Sequence, residues 1–271
     1  MYLSDAAILG AIQGITEFLP VSSTGHVEIC SRLFHLHDFS RNFNIIINLG
    51  TLSAIALYFC KDVLKILLGG IDWIFNRKTV NRKIFSMIMV ANLPTIFIFG
   101  ILEFLSLVPD GSELIFGLNL IIFGLILHVC DKNESENKDF SMPDAIKVGL
   151  AQLLSIFAGV SRLGICISTC RYLKYSRQNS FKFCILFSII PAAGACVLKL
   201  LKIVLSSNCA ANEVYFSCTE MFIGIVSAFL FGFVSLHIIY KFLKSHTFLP
   251  FIMYRIILGI FILIFVFLNK N

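Results

Sequence analysis

Side chains able to do chemistry are concentrated in the stretch Gln13–His26, which interrupts an otherwise apolar N-terminal run. Its polar members offer an amide, a carboxylate, hydroxyls and an imidazole, on Gln13, Thr16, Glu17, Ser22, Ser23, Thr24 and His26. A carboxylate at the centre of a membrane helix costs roughly 2.5–3.5 kcal/mol. Because polar groups in membrane segments usually serve a function, we predict a functional site here.

Gln13 and Glu17 are four residues apart, so a helix would place both side chains on one face. Such a pair either caps a helix end or forms a face that coordinates a metal ion or phosphate. Within a membrane segment the second interpretation is favoured, because a carboxylate is costly there. Glu17 is therefore a candidate metal ligand.

The hydroxyls of Ser22, Ser23 and Thr24 are followed by a glycine and His26. The N-terminus of a helix offers free N–H groups and a positive dipole end, which suit a phosphate. An ordinary N-cap would account for one hydroxyl but not for three. An imidazole can act as general acid or base, and a hydroxyl beside it can act as nucleophile. The sequence does not rank the three hydroxyls for that role.

The elements that must position these groups belong to a membrane protein. The 271 residues are 58% hydrophobic and 14% charged, with a mean hydropathy of +0.88, whereas soluble domains carry about 25% charged residues. We predict an all-α integral membrane protein with a single membrane domain over residues 1–271. The net charge of +6 is attributed to loop topology, so no nucleic-acid partner is expected.

Two short segments joined by a polar turn occur twice and predict two re-entrant helical hairpins. Residues 6–19 are too short to cross a bilayer, which needs about 20 helical residues, and Pro20 ends the run. Residues 145–173 repeat this order around the turn 159–164. Six transmembrane helices are predicted near 43–60, 85–107, 114–130, 181–204, 219–243 and 250–268, with 61–83 as a basic loop.

Matches at a spacing of 139 residues show that the two halves are repeats. The identical pairs are Gly10/Gly149, Gln13/Gln152, Phe18/Phe157, Val21/Val160, Ser22/Ser161 and Gly25/Gly164. The repeats are about 1–130 and 145–271, joined by a charged linker over 131–144. Each half crosses three times, so the second is inverted, an arrangement that places a site where discontinuous helices meet.

The second turn contributes Ser161 and Arg162, whose guanidinium suits phosphate. Arg162 aligns with Ser23, so we expect Glu17, Ser23, His26 and Arg162 to converge. Arg255, at the cytoplasmic start of the last span, is instead expected to snorkel to the interface.

Basic residues set the predicted orientation. With the loop 61–83 in the cytoplasm, fifteen Lys and Arg residues lie on that side and five on the other. Both termini and the entrance of the first hairpin are then extracytoplasmic. Cys209 and Cys218 share one extracytoplasmic loop and are a candidate disulfide.

The stretch QGITEFLPVSSTGH resembles the first signature of the bacterial undecaprenyl-diphosphate phosphatase family, in which a Glu or Gln stands four residues before a Glu and PVSSTGH follows. The second turn, AGVSRLG, resembles that family's PGxSRSGxT motif. It departs from this motif at Ala158, Leu163 and Cys166, which stand where the family has proline, serine and threonine. The resemblance covers nearly the whole chain.

The resemblance implies an enzyme that hydrolyses undecaprenyl diphosphate, recycles the lipid carrier for peptidoglycan and other cell-wall polymers, and is associated with bacitracin resistance. It implies catalytic roles for Glu17, Ser23, His26 and Arg162, and a divalent cation, magnesium or calcium. The other predicted substrate-binding residues are Gln13, Ser22, Thr24 and Ser161.

The expected location is the bacterial inner (plasma) membrane, with a multi-pass chain among membrane lipids and an active site facing the periplasm or cell exterior. A homodimer is left open. The alternative function is a lipid-phosphate transporter or flippase, because inverted repeats with half-helices are also a transporter architecture.

Overall fold

A computed structural model describes residues 2–33, 41–105, 107, 112–136, 139–205 and 217–268. All regular structure in these ranges is helical. The α-helices are α1 (Leu3–Glu17), α2 (Ser23–Leu33), α3 (Arg41–Tyr58), α4 (Cys60–Ile74), α5 (Val80–Phe104), α6 (Glu113–Asp131), α7 (Met142–Gln152), α8 (Arg162–Tyr172), α9 (Arg177–Leu205), α10 (Cys218–Phe242) and α11 (Leu249–Leu268). A 3₁₀ turn, Leu153–Ile156, follows α7.

In the described parts of the chain, four helices are long and apolar enough to cross a membrane: Val80–Leu102 within α5, and α6, α10 and α11. This confirms the prediction of an all-α integral membrane protein. The apolar part of α3, Ile46–Tyr58, is shorter than a full span. The number of six transmembrane helices, and the prediction of one membrane domain over 1–271, therefore stay predictions. Cys209 lies outside the described residues, and Cys218 is a free cysteine.

The segment 61–83 contains a helix that the basic-residue count did not reveal. We expected a loop there, but α4 occupies most of it. Apolar residues recur at helical spacing between its lysines, which is the pattern of an amphipathic helix. The helix packs closely on α5, because a Cβ at Gly69 would lie 2.2 Å from the carbonyl oxygen of Asn81.

The chain forms two compact units that cut across the sequence repeat. The first contains residues 1–18, 23–59 and 188–239; the second contains 19–22, 60–187 and 240–271. In the first unit α1 packs on α10, where Ser227 and Ser235 donate hydrogen bonds of 2.7 and 2.9 Å to carbonyl oxygens of Ala7 and Ile15. A short helix of one half is thus held by a long helix of the other.

Equivalent glycines make equivalent contacts in the two units. In the first, a Cβ at Gly10 would lie 2.4 Å from the carbonyl oxygen of Gly224 on α10. In the second, a Cβ at Gly149 would lie 2.2 Å from the carbonyl oxygen of Ala91 on α5. The same spacing of 139 residues relates the start of α5 to the start of α10 within one residue. The repeat is therefore a repeat of packing as well as of sequence.

A buried ion-pair cluster joins four helices of the second unit. The Asp131 carboxylate, at the end of α6, accepts hydrogen bonds from Nε of Arg171 at 3.1 Å and Nε of Arg177 at 2.7 Å. It also accepts one from the backbone N–H of Phe248, just before α11, at 3.1 Å. Arg171 is 1% exposed. Its charge is compensated by an acid, as a buried charge requires.

Candidate active site

The first hairpin turns where the sequence predicts it. Helix α1 ends at Glu17, and Pro20, which has no N–H to donate, lies three residues beyond. Ser22 has φ 72°, in the left-handed region, and α2 begins at the next residue. The chain reverses there, so the end of α1 faces the start of α2.

This reversal brings four polar side chains of the first unit into one hydrogen-bonded group. The Gln13 Nε2 donates to Glu17 Oε2 at 2.8 Å and to Asn48 Oδ1 on α3 at 2.6 Å. The Ser23 Oγ donates to the same Glu17 oxygen at 2.6 Å. The shared helix face of Gln13 and Glu17 is thereby confirmed. Among the three hydroxyls that the sequence did not rank, the structure shows Ser23 bonded to the carboxylate.

One atom of this group has no hydrogen-bond partner among the residues that the structure describes. The Gln13 side chain is 1% exposed, and its Oε1 lacks a hydrogen bond among the described residues. A buried acceptor left without a partner costs about 1–3 kcal/mol. Such an atom calls for an explanation, and an ion or a bound ligand is one.

The remaining predicted residues of α2 differ in exposure. His26 is 8% exposed and lies three residues after Ser23, on the same face of the helix. Ser22 is half-buried, whereas Thr24 is exposed. The imidazole of His26 is therefore buried, Ser22 and Ser23 are partly accessible, and Thr24 is accessible from outside the protein.

The second hairpin has the same backbone turn. Ser161 has φ 64° at the position equivalent to Ser22, and Gly159 has φ 87°. The Ser161 Oγ accepts a hydrogen bond of 3.1 Å from the N–H of Gly164 and so caps α8. Arg162 is the first residue of α8 and is half-buried. The predicted turn 159–164 is therefore partly helical from Arg162 onward.

Three residues depart from the family motif, and the structure places all three in buried or half-buried positions. The carbonyl of Ala158 accepts a hydrogen bond of 2.8 Å from Asn119 Nδ2, which a proline at 158 would also allow. Leu163 and Cys166 are buried. The Cys166 thiol lies 3.5 Å from Oε1 of Gln152, in the direction of a donated hydrogen bond. Cys166 thus contacts the buried amide of Gln152, which links α7 to α5.

The structure does not test whether all four predicted catalytic residues converge. Glu17, Ser23 and His26 belong to the first unit, and Arg162 belongs to the second. Their convergence stays a prediction.

Arg255 contradicts the sequence-based expectation that it snorkels. Its side chain is 0% exposed. It donates hydrogen bonds to carbonyl oxygens of both hairpin turns, Pro20 at 2.9 Å and Gly159 and Val160 at 3.0 and 3.1 Å, and a longer one of 3.3 Å to Leu120. These residues all lie in the second unit, which includes the first turn, 19–22. The prediction was wrong because carbonyls in turns have no helical partner and attract a donor. A signal was available, since an arginine inside an apolar span marks a functional site by default.

The sequence matches known proteins over nearly its whole length. Residues 6–261 match a family model described as bacitracin resistance protein BacA. A protein of Jannaschia sp. (strain CCS1), named undecaprenyl-diphosphatase, is 30% identical over 97% of this chain and 98% of its own length. Proteins of the same name from Corynebacterium glutamicum (strain R) and Geobacter metallireducens are 33% and 31% identical, over 95% and 97% of this chain and 88% and 97% of their own lengths.

Proposed function

Because the chain belongs to the bacitracin resistance protein BacA family, we propose that it hydrolyses undecaprenyl diphosphate to undecaprenyl phosphate and inorganic phosphate. It is an integral-membrane hydrolase that acts on a polyprenyl diphosphate lipid. Its product is the monophosphate carrier on which cell-wall polysaccharides are built. The transporter alternative is not favoured, because its relatives carry the name of a diphosphatase.

The hydrogen bond of 2.6 Å from Ser23 Oγ to Glu17 Oε2 is the observation that carries this function. A hydroxyl bonded to a carboxylate is the arrangement of a nucleophile and its base. In one route Oγ attacks the terminal phosphorus, the anhydride bond to the lipid phosphate breaks, and water then releases phosphate from the serine. In the other, Ser23 positions a water molecule that attacks directly. His26, one turn further along α2, shuttles the proton in both.

Arg162 neutralises the charge that develops on the terminal phosphate in the transition state. The N–H groups at the starts of α2 and α8 add donors for the phosphate oxygens. The binding of both hairpin turns to one guanidinium in the second unit supports the convergence of Arg162 with the first hairpin. Ser22, Thr24 and Ser161 complete the proposed phosphate contacts.

A divalent cation, magnesium or calcium, fits the donors of the first hairpin. Gln13 offers a buried Oε1 without a hydrogen-bond partner among the described residues, and Glu17 offers a carboxylate. The described parts of the chain contain no group of three or more His, Cys, Asp or Glu residues that could hold a metal ion by itself. Magnesium is commonly bound by one or two carboxylates together with substrate phosphates, which suits this donor set. The ion would supply neutralisation of the diphosphate charge.

Chelation tests the cation. Adding EDTA to the purified protein is expected to abolish most phosphate release, and magnesium or calcium is expected to restore it. Gln13→Met keeps the volume of the side chain but removes the oxygen, so it should raise the cation concentration needed for half-maximal rate. Phosphate release that is indifferent to EDTA would contradict the cation proposal.

We further propose the bacterial plasma (inner) membrane as the location, with the active site open to the periplasm or cell exterior. The excess of basic residues in the segments assigned to the cytoplasm supports this orientation. Labelling of single introduced cysteines with a membrane-impermeant reagent in intact cells measures it directly. The homodimer stays a prediction.

Phosphate release from undecaprenyl or farnesyl diphosphate by the purified protein tests the function. Ser23→Ala, His26→Ala and Arg162→Ala are each expected to lower the rate sharply. Ser53→Ala is a matched control, because Ser53 is exposed on α3 and its hydroxyl bonds only the carbonyl of Leu49 among the contacts seen. Undiminished phosphate release in all three variants would contradict the assignment of these residues to the active site. Lipid transfer across liposomes without phosphate release would favour the transporter.

A further inference from the structure

Arg255 is a deeply buried cation whose hydrogen bonds all go to backbone. Among the described residues it makes no ion pair, and its four hydrogen bonds end on carbonyl oxygens. Arg171, buried to the same degree in the same unit, is instead paired with Asp131. A buried charge is usually compensated by an acid, so this difference requires an explanation.

The carbonyls that Arg255 binds come from three distant parts of the chain. Pro20 lies in the first hairpin turn, Gly159 and Val160 lie in the second, and Leu120 lies in α6. The guanidinium group is a rigid planar fork with five N–H donors. It can therefore bind both turns at once in a fixed relative position, whereas a lysine ammonium is a point charge on a flexible stem.

The sequence around the second turn leaves space for this fork. A Cβ at Gly164 would lie 2.7 Å from Nη1 of Arg255, which is closer than a Cβ atom approaches other heavy atoms. A Cβ at Gly159 would lie 2.5 Å from the carbonyl oxygen of Phe116 on α6. Glycine at these positions lets α6, the second turn and Arg255 approach closely.

We propose that Arg255 is a positioning residue that sets the distance between the two hairpin turns for catalysis. Ser23 follows Pro20 by three residues and Arg162 follows Val160 by two. A shift of either turn therefore moves the nucleophile or the phosphate-binding guanidinium. The proposal rests on the phosphatase function proposed above. Arg255 itself contacts backbone and is not assigned a contact with the substrate.

Arg255→Lys is the first test, because it keeps the charge and removes the fork. We expect kcat to fall by about 100-fold, the order that a misplacement of about 1 Å can cause, with KM changed much less. Arg171→Lys is the matched control, since Arg171 is equally buried but binds the Asp131 cluster. Arg171→Lys should lower the thermal midpoint of unfolding while kcat stays close to that of the wild-type protein.

Amide hydrogen exchange provides a readout that does not depend on activity. In Arg255→Lys, peptides covering residues 18–24 and 158–163 should exchange faster, and in Arg171→Lys they should not. If the unchanged protein released no phosphate, the proposed function would fail. The exchange experiment would still decide whether Arg255 holds the two turns.

Gly164→Ala is a second variant for the case in which Arg255→Lys does not fold. Its methyl group displaces the guanidinium but leaves it in the protein, so kcat should again fall more than KM rises. The double variant should lose less than the product of the two single losses, because both act through one contact. A retained kcat in Arg255→Lys, an equal loss in Arg171→Lys, or multiplicative losses in the double variant would each overturn the proposal.

Discussion

The two hairpins have similar backbone turns but carry different chemical groups. Both reverse at a serine with positive φ, Ser22 and Ser161, and the first helix of each contains a glycine packed on a long helix of the other half. The first hairpin carries Glu17 and His26 where the second carries Ile156 and Ile165. Ser23 of the first corresponds to Arg162 of the second.

In the proposed reaction the two hairpins have separate tasks. The first hairpin holds the carboxylate, hydroxyl and imidazole that can move protons and attack phosphorus. The second holds a cation suited to phosphate charge. Even the paired glutamines differ, since Gln152 Nε2 donates to Asn92 and Thr95, whereas Gln13 Nε2 donates to Glu17 and Asn48. Repetition therefore accounts for the turns, and divergence of a few side chains accounts for the activity.

Replacing the carboxylate is expected to have the largest effect. Glu17→Gln keeps the shape of the side chain and removes the base, so phosphate release should fall by about 100- to 10,000-fold. Activity is compared with the circular dichroism spectrum to confirm that the variant folds. If the folded variant kept its rate, the first hairpin would not be the proton-transferring half.

Arg162 tests the role of the second hairpin. Arg162→Ala should lower kcat by about 100- to 1,000-fold, as expected when one preorganised donor to a transition state is lost. Arg162→Lys should recover part of this rate, because charge is retained without the planar fork. Steady-state phosphate release measures both. A lysine variant no better than the alanine variant would mean that geometry matters here and charge does not.

The packing symmetry is tested by two alanine substitutions. Gly10→Ala and Gly149→Ala each place a methyl group against a facing backbone, at 2.4 and 2.2 Å. Each should destabilise the protein by about 1–3 kcal/mol, because overpacking forces the helices apart. Thermal unfolding of the two variants in detergent is the measurement. Strongly unequal losses of stability would show that the two glycine contacts are not equivalent.

The smallest effect is expected at Ser161. Ser161→Ala removes the N-cap of α8 and should cost about 1 kcal/mol of stability. Its effect on kcat should be less than that of Ser23→Ala, because the Ser161 hydroxyl is engaged in capping. Thermal unfolding and phosphate release are measured on the same preparation. A loss of rate as large as that of Ser23→Ala would show that Ser161 contributes as much to the reaction as the proposed nucleophile.

Local patterns predicted the parts of the site that depend on neighbours along the chain. The spacing of Gln13 and Glu17 predicted one helix face, and the hydrogen bond between them confirms it. The spacing did not choose among three adjacent hydroxyls. That choice depends on the backbone angles of the turn, which place Ser23 Oγ against Glu17.

Two predictions were wrong for different reasons. The number of basic residues in 61–83 favoured a loop, although the apolar residues of this segment belong to α4, which packs on α5. The position of Arg255 near the cytoplasmic start of the last span suggested snorkelling, although its guanidinium is buried among carbonyls. In the first case the number of basic residues outweighed the apolar pattern, and in the second the partners of Arg255 lie far away in sequence.

The sequence by itself determined that this is an all-α membrane protein of the BacA family, with a repeat and a polar first hairpin, because hydropathy, spacing and motifs are properties of short segments. Only the tertiary structure decided that Ser23 bonds Glu17 and that Arg255 joins two turns. Arg255 and Pro20 are 235 residues apart. A hydrogen bond across that separation depends on how all the intervening helices pack, which no short segment encodes.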